Sequence, residues 1–188
     1  MQTTGNVTRL LDAWREGDPG AADRLFSLVY GDLRVLARRQ LARLSPGDSL
    51  APTALVHETY LKFAERAAPE AVNRLHFLSV AARAMRHIVI DHLRRNRSKK
   101  RDGGVQVTLH SGAVAASDSP IDLLAMDDAL TALERLDPRQ ARVVELRFFG
   151  GLTVEETGHV LQISPQTVMR DWKLARAWLA RELSPRSK

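Results

Sequence analysis

From residue 7 to about residue 97, apolar residues return at intervals of three and four, the spacing that gathers them on one face of an α-helix. The rhythm breaks at "EGDPGA", "LSPGDSLAP" and "AAPEAVN", where Gly, Pro and short polar residues punctuate the chain. Four or so helices are expected in this first half. Over residues 98–120, "SKKRDGGVQVTLHSGAVAASDSP", the period is lost, and a composition of Gly, Ser and Ala predicts a flexible linker with at most a short extended piece at 105–109. Helical spacing resumes at Ile121. Leu123, Leu130, Leu133 and Leu136 mark one helix, "RQARVVELRFF" a second after Pro138, and two more follow Gly151. The pattern therefore predicts an all-α protein of two small helical domains, 1–97 and 121–188, joined by a linker at 98–120, with no internal repeat.

The most specific local pattern is "LTVEETGHVLQISPQTVMRDWKLARAWLARE", residues 152–182. Thr153 is placed to cap a helix whose early Glu155 and Glu156 suit its positive end, and Glu156 stands three residues on, as a capping box requires. That helix is expected to end near Leu161. Ser164 is placed as the next N-cap, with Pro165 in the first turn, where a missing N–H costs nothing. On the second helix Val168, Trp172, Ala175 and Leu179 fall on one side, and Gln166, Arg170, Lys173 and Ala177 on the other. Gly158 sits where two helices would approach closely, with Val160, Ile163 and Val168 as the wedge between them. Gln162 occupies the tight turn, where glycine would relieve a positive φ. This is a helix-turn-helix pattern. Its second helix meets base edges in the major groove through early polar and basic residues, here Gln166, Thr167, Arg170 and Lys173 beside the cap Ser164.

Charge adds a second surface. The 188 residues carry 28 Lys and Arg against 22 Asp and Glu, a formal charge of +6 that favours an acidic partner, nucleic acid or an anionic membrane. No stretch approaches the roughly 18 apolar residues of a membrane span, and the start lacks a basic segment followed by an apolar one. A soluble, cytoplasmic protein without membrane insertion is expected. Without cysteine there is no disulfide, thiolate metal site or cysteine nucleophile, which excludes a zinc-finger DNA binder.

In "RLHFLSVAARAMRHIVIDHLRRNR", Phe77, Val80, Ala81, Ala84, Met85 and Ile88 form an apolar arc, and Ser79, Arg83, Arg86, Arg94 and Arg97 line the opposite side, interrupted by Ile90. Six of the eight positions from Arg94 to Arg101 are Lys or Arg. Such a run is either a solvated face or one edge of a grip on an acidic polymer. A stripe that continues in register along four turns favours the polymer. In "SLAPTALVHETYLKFAERA", Leu55, Tyr60, Leu61 and Phe63 are suited to packing, and Val56, His57 and Glu58 cannot all be buried with them on one face. Periodicity alone leaves this helix equally open as a central core helix or a docking surface. Candidate catalytic groups are His57 with Glu58, and His87 with Asp91 and His92. "HETYL" has Leu61 where a zinc-binding HExxH needs its second histidine. No catalytic residue, metal or cofactor is expected.

Together these motifs resemble a bacterial sigma factor of the sigma-70 family, in the compact extracytoplasmic-function (ECF) group. "PTALVHETYLKF" resembles the segment that docks on the clamp helices of core RNA polymerase, "HFLSVAARAMRHIVIDHLRR" the helix that engages the promoter −10 element, and "LDPRQARVVELRFFGGLTVEETGHVLQISPQTV" the domain that reads the −35 element. The resemblance covers nearly the whole chain. It implies a protein that performs no covalent chemistry and lends promoter specificity to a polymerase. Leu55, Val56, His57, Glu58 and Leu61 would then contact the clamp, and Arg83, Arg86, His87, Arg94 and Arg95 would hold the −10 strand. Ser164, Gln166, Thr167, Arg170 and Lys173 would face the −35 element. The loop at about 67–76 would form a pocket for a flipped −10 base, and 98–120 the linker toward the polymerase active site. Ala54 stands where the family usually carries an acidic residue. The partners implied are core RNA polymerase, promoter DNA and, as for many members, an anti-sigma factor. The residues alone also leave open an independent helix-turn-helix transcription regulator.

Overall fold

The structure is a computed structural model that describes residues 2–44, 50–65, 68–102 and 122–184. Among the described residues every regular element is helical: α1 (Gln2–Arg15), α2 (Ala21–Leu41), α3 (Pro52–Ala64), α4 (Arg74–Asp102), α5 (Leu123–Leu136), α6 (Pro138–Val144), a π-helical turn (Glu145–Phe149), α7 (Val154–Leu161) and α8 (Pro165–Leu183). The all-α expectation holds. Helix α4 continues five residues past residue 97, where the hydrophobic pattern places the end of the first domain, because the Lys- and Arg-rich run is itself a good helix former. The extended piece expected at 105–109, and the rest of the expected linker, lie outside the described residues.

In the first half, α2 and α4 bury their apolar faces against each other and against α1 and α3. Phe26 is the centre of this core, meeting Tyr60, Phe63 and Phe77 edge-on at centroid distances of 5.2, 5.8 and 5.6 Å. Each such pair adds about 0.5–1.5 kcal/mol beyond the area it buries, and together they set α3 between α2 and α4. Pro52 opens α3 at a position where no backbone donor is lost.

The second half is built on side-chain caps. Asp122 accepts from the Leu124 and Ala125 N–H groups to start α5, and Asp137 accepts from Gln140 to start α6 ahead of Pro138. Helix α8 then packs across α5, α6 and α7.

The two halves share one apolar core rather than standing apart. Ile88, Val89 and Ile90 are all buried, and three consecutive residues cannot lie on one helical face, so α4 is covered on more than one side at this level. On one side lie α2 and α3; on the other lie α5 and the π turn. Leu93 of α4 and Leu123, Leu124, Met126 and Phe149 of the second half belong to the same cluster. The interruption that Ile90 makes in the cationic stripe is the trace of this second packing surface.

Candidate nucleic-acid interface

Helices α7 and α8 are joined by the three residues Gln162, Ile163 and Ser164. The capping box is complete: the Thr153 hydroxyl accepts from Glu156 N–H at 3.1 Å, and the Glu156 carboxylate accepts from Thr153 N–H at 2.8 Å. Gln162 takes the left-handed conformation at φ 55°, and its side-chain amide donates to the His159 carbonyl at 2.7 Å, binding the turn to the end of α7. A Cβ on Gly158 would stand 2.8 Å from the Ile163 carbonyl oxygen, so only glycine lets the turn fold back this closely. Ser164 Oγ accepts from Thr167 N–H at 3.1 Å and starts α8.

Helix α8 then divides by face. Val168, Ala175 and Leu179 are buried with Trp172 half-buried, while Gln166, Arg170 and Lys173 are exposed and Thr167 is half-buried beside Ser164. Asp171 is the residue that periodicity missed. It is 1% exposed and takes a two-point hydrogen bond from Arg139 of α6 at 2.6 and 3.3 Å, which anchors the exposed face of α8 to the rest of the second half. Its signal in the sequence is an acid three residues after Val168 and four before Ala175, inside the packing stripe.

Helix α4 places its cations differently from the expectation of a free stripe. Arg86 is buried at 6% exposure: its Nε and Nη2 donate to Asp127 Oδ1 at 3.0 and 2.7 Å, its Nη1 to Glu145 Oε1 at 2.6 Å, and its guanidinium lies 5.3 Å from the Phe149 ring. Arg83 reaches Glu134 at 3.2 Å and Glu145 at 3.5 Å. Arg94 reaches Asp127 at 3.2 Å and Asp128 at 3.4 Å, and Arg97 meets both oxygens of Asp122 at 3.1 Å. Arg95 is exposed. Burial lowers the pKa of His87, and the neighbouring Arg86, Arg83 and Lys62 lower it further against the opposing pull of Glu145, so at neutral pH it offers a neutral imidazole and not a charge.

Three groups at the C-terminal end of α2 and in the turn just after it complete this junction. Gln40, buried, donates to the Ala82 carbonyl at 2.9 Å, Arg43 donates to the Phe148 carbonyl at 2.8 Å with its guanidinium 4.3 Å from the Phe148 ring, and Arg39 donates to the Gly151 carbonyl at 3.3 Å. Sequence patterning passed over all of them, and over Asp127 and Glu145. An acid at position 127, between Met126 and Leu130 of a packing stripe, was the available sign that a cation had to meet it.

Helix α3 resolves into a buried and an open side. Leu55 and Val56 are in the core, at 0% and 3% exposure, with Thr59 and Phe63; Leu61, suited to packing by its spacing, is 43% exposed. His57 is exposed and stacks on Tyr60, and Glu58 is half-buried. Between α3 and α4 lies a recess with an apolar floor of Phe63, Val80 and Ala84, rimmed by Lys62, Arg83, His87 and Pro69. Of the expected pocket loop at 67–76, residue 67 lies outside the described residues.

A sequence model described as ECF sigma factor matches residues 4–185, and the chain belongs to that family of transcription-initiation factors. No curated protein matches it. Among the described residues, no helix is long and apolar enough to cross a membrane.

Proposed function

We propose that this protein binds core RNA polymerase in the cytoplasm and directs it to promoters through two DNA contacts. The observation that carries the reading is α8: one face locked into the second half by Val168, Asp171, Ala175 and Leu179, the other presenting Gln166, Arg170 and Lys173 to solvent from a capped helix start. That is the arrangement a major-groove reader of the −35 element needs, with residues 121–188 as its unit. Residues 1–97 form the unit for polymerase and the −10 strand, and 98–120 connect the two. The open side of α3, His57, Glu58 and Leu61, meets the polymerase clamp, while the buried Leu55 and Val56 act by seating that helix. On α4, the exposed Arg94 and Arg95 with the half-buried Arg83 and His87 face the −10 strand, while the buried Arg86 acts by holding the helix to Asp127 and Glu145, and the recess over Phe63 takes an unstacked base against its apolar floor.

The test is transcription in vitro with sigma-free core polymerase on fragmented host DNA, with sequencing of transcript 5′ ends. Discrete starts sharing paired upstream motifs are expected. Absence of such starts, with discrete DNA fragments retained by the protein alone, would instead make it an independent helix-turn-helix regulator.

A further inference from the structure

The exposed face of α8 holds one residue that its polar neighbours do not explain. Met169 is 61% exposed and does not belong to the apolar core of the described residues. It stands three residues after Gln166 and four before Lys173, beside Arg170, so the helix brings all four to the same side. Its place is fixed from within: Val168 is buried just before it, and the buried Asp171, two residues on, is held by Arg139. With Ser164 capping the first turn, the backbone presents the Met169 side chain in a set direction from the second. We propose that Met169 is a specificity-determining residue of the −35 contact, packing its thioether chain on the C5-methyl group of a thymine in the major groove. The inference rests on the −35 reading given above.

The chemistry of the groove selects this contact. Gln166, Arg170 and Lys173 all bring N–H donors, which suit the acceptors that guanine and adenine display there. A thioether donates nothing and accepts only weakly, so Met169 cannot join that reading. The thymine methyl is the one apolar feature that the four bases offer in the major groove, and an unbranched side chain with three rotatable bonds can settle on it. Docked without such a partner, the methionine would press apolar surface against polar base edges and strip them of water; against a methyl group, both apolar surfaces leave water together. Gln166 points to the same kind of sequence. An amide pairs with adenine N6 and N7, so Gln166 and Met169 side by side suit a run of A·T pairs, the amide on adenine and the thioether on a thymine methyl. Leu174 is exposed on α8 as well, but it lies beyond the first two turns, where a recognition helix meets base edges.

The experiment uses holoenzyme assembled from core polymerase and the full-length chain, bound to a labelled duplex promoter found by the transcription experiment above and followed by fluorescence anisotropy. Each thymine of the upstream element is replaced singly by deoxyuridine, which removes the methyl group and nothing else. One such replacement should weaken wild-type binding about three- to fivefold, the equivalent of one buried carbon. The same replacement should leave Met169→Ala unaffected, while Met169→Leu, which keeps an apolar side chain, should retain most of the effect. Position 169 is exposed and alanine is the best helix former, so Met169→Ala is expected to fold like wild type. Raising salt from about 50 to 200 mM should lower every affinity and leave the methyl effect unchanged, because the contact carries no charge. Arg170→Ala is the reference for the −35 reading. If it weakens binding to the same element, yet no thymine shows a methyl effect that Met169→Ala abolishes, the Met169 contact is overturned and the −35 reading stands. An upstream element without thymine overturns the contact in the same way. If Arg170→Ala binds the element as tightly as wild type, the −35 reading fails and the Met169 contact with it.

Discussion

At the scale of single residues, two side-chain positions carry more than their type suggests. Arg86 is the buried centre of a charge cluster with Asp127 and Glu145, and replacing it leaves Asp127 to Arg94 alone and Glu145 to Arg83 and Arg142 in a largely buried junction. We expect Arg86→Met to cost up to about 3–5 kcal/mol of stability in urea titrations, with Asp127→Asn and Glu145→Gln together restoring most of it. A loss below about 1 kcal/mol would mean that Arg83, Arg94 and Arg142 compensate the two acids without Arg86. Gly158 acts through the atom it lacks. Gly158→Ala would press a methyl group to 2.8 Å from the Ile163 carbonyl, which is backbone and cannot swing aside. A loss of about 1–3 kcal/mol is expected, read as a lowered melting temperature, with transcription from −35-dependent promoters lost at temperatures where wild type is active.

At the scale of elements, α8 shows how one helix serves the fold and the proposed function at once. Its buried Asp171 is tied to Arg139, and its neighbour Arg170 leans toward the same carboxylate at 3.5 Å with most of its side chain exposed. Arg170→Ala should therefore leave folding and polymerase binding unchanged and reduce initiation at −35-dependent promoters by about 5- to 100-fold, the range for losing one base-reading contact. Loss of polymerase binding in this variant would show that the face is misassigned. The cap works differently: Ser164→Ala removes the acceptor for Thr167 N–H and should lower stability by about 1 kcal/mol in thermal melts.

For the whole molecule, the junction between the halves makes stability depend on pH through two histidines. Burial lowers the pKa of His76, with Arg142 acting in the same direction and Glu70 against it, and burial with Arg86, Arg83 and Lys62 lowers that of His87. A histidine whose folded pKa lies below its unfolded value of about 6.5 binds its proton less readily in the folded state. Its contribution is thus fully present above pH 6.5 and is lost as pH falls through the lowered pKa. Melting temperature should fall as pH is taken from 7 to 5, and His76→Gln with His87→Gln should flatten that slope; an unchanged slope would show that carboxylates and not these histidines control it. Asp122 acts lower still. Burial works to raise its pKa, but Arg97 and the backbone N–H groups of Leu124 and Ala125 outweigh it, so its cap and ion pair persist until pH falls below the ordinary carboxylate range.

The repeat of apolar residues every three or four positions, the caps at Thr153 and Ser164, Pro165 and the small Gly158 by themselves determined the helical class, the α7–α8 turn and the division of α8 into a packed and an open face. These are local properties, set within a few residues by backbone hydrogen bonding and side-chain spacing, so a linear pattern contains them. Family membership was legible for the same reason, in motifs that stand in order along the chain. What only the tertiary structure decided is which surfaces meet. Nothing local distinguishes Arg86 from Arg83 or Leu55 from Leu61. Arg86 is buried because Asp127 and Glu145 arrive from residues 41 and 59 positions away, and Leu61 is exposed because Phe26 and Phe77 fill the other side of α3. Whether a basic stripe faces solvent or its own acids depends on long-range packing, which leaves no mark on the periodicity of either strip.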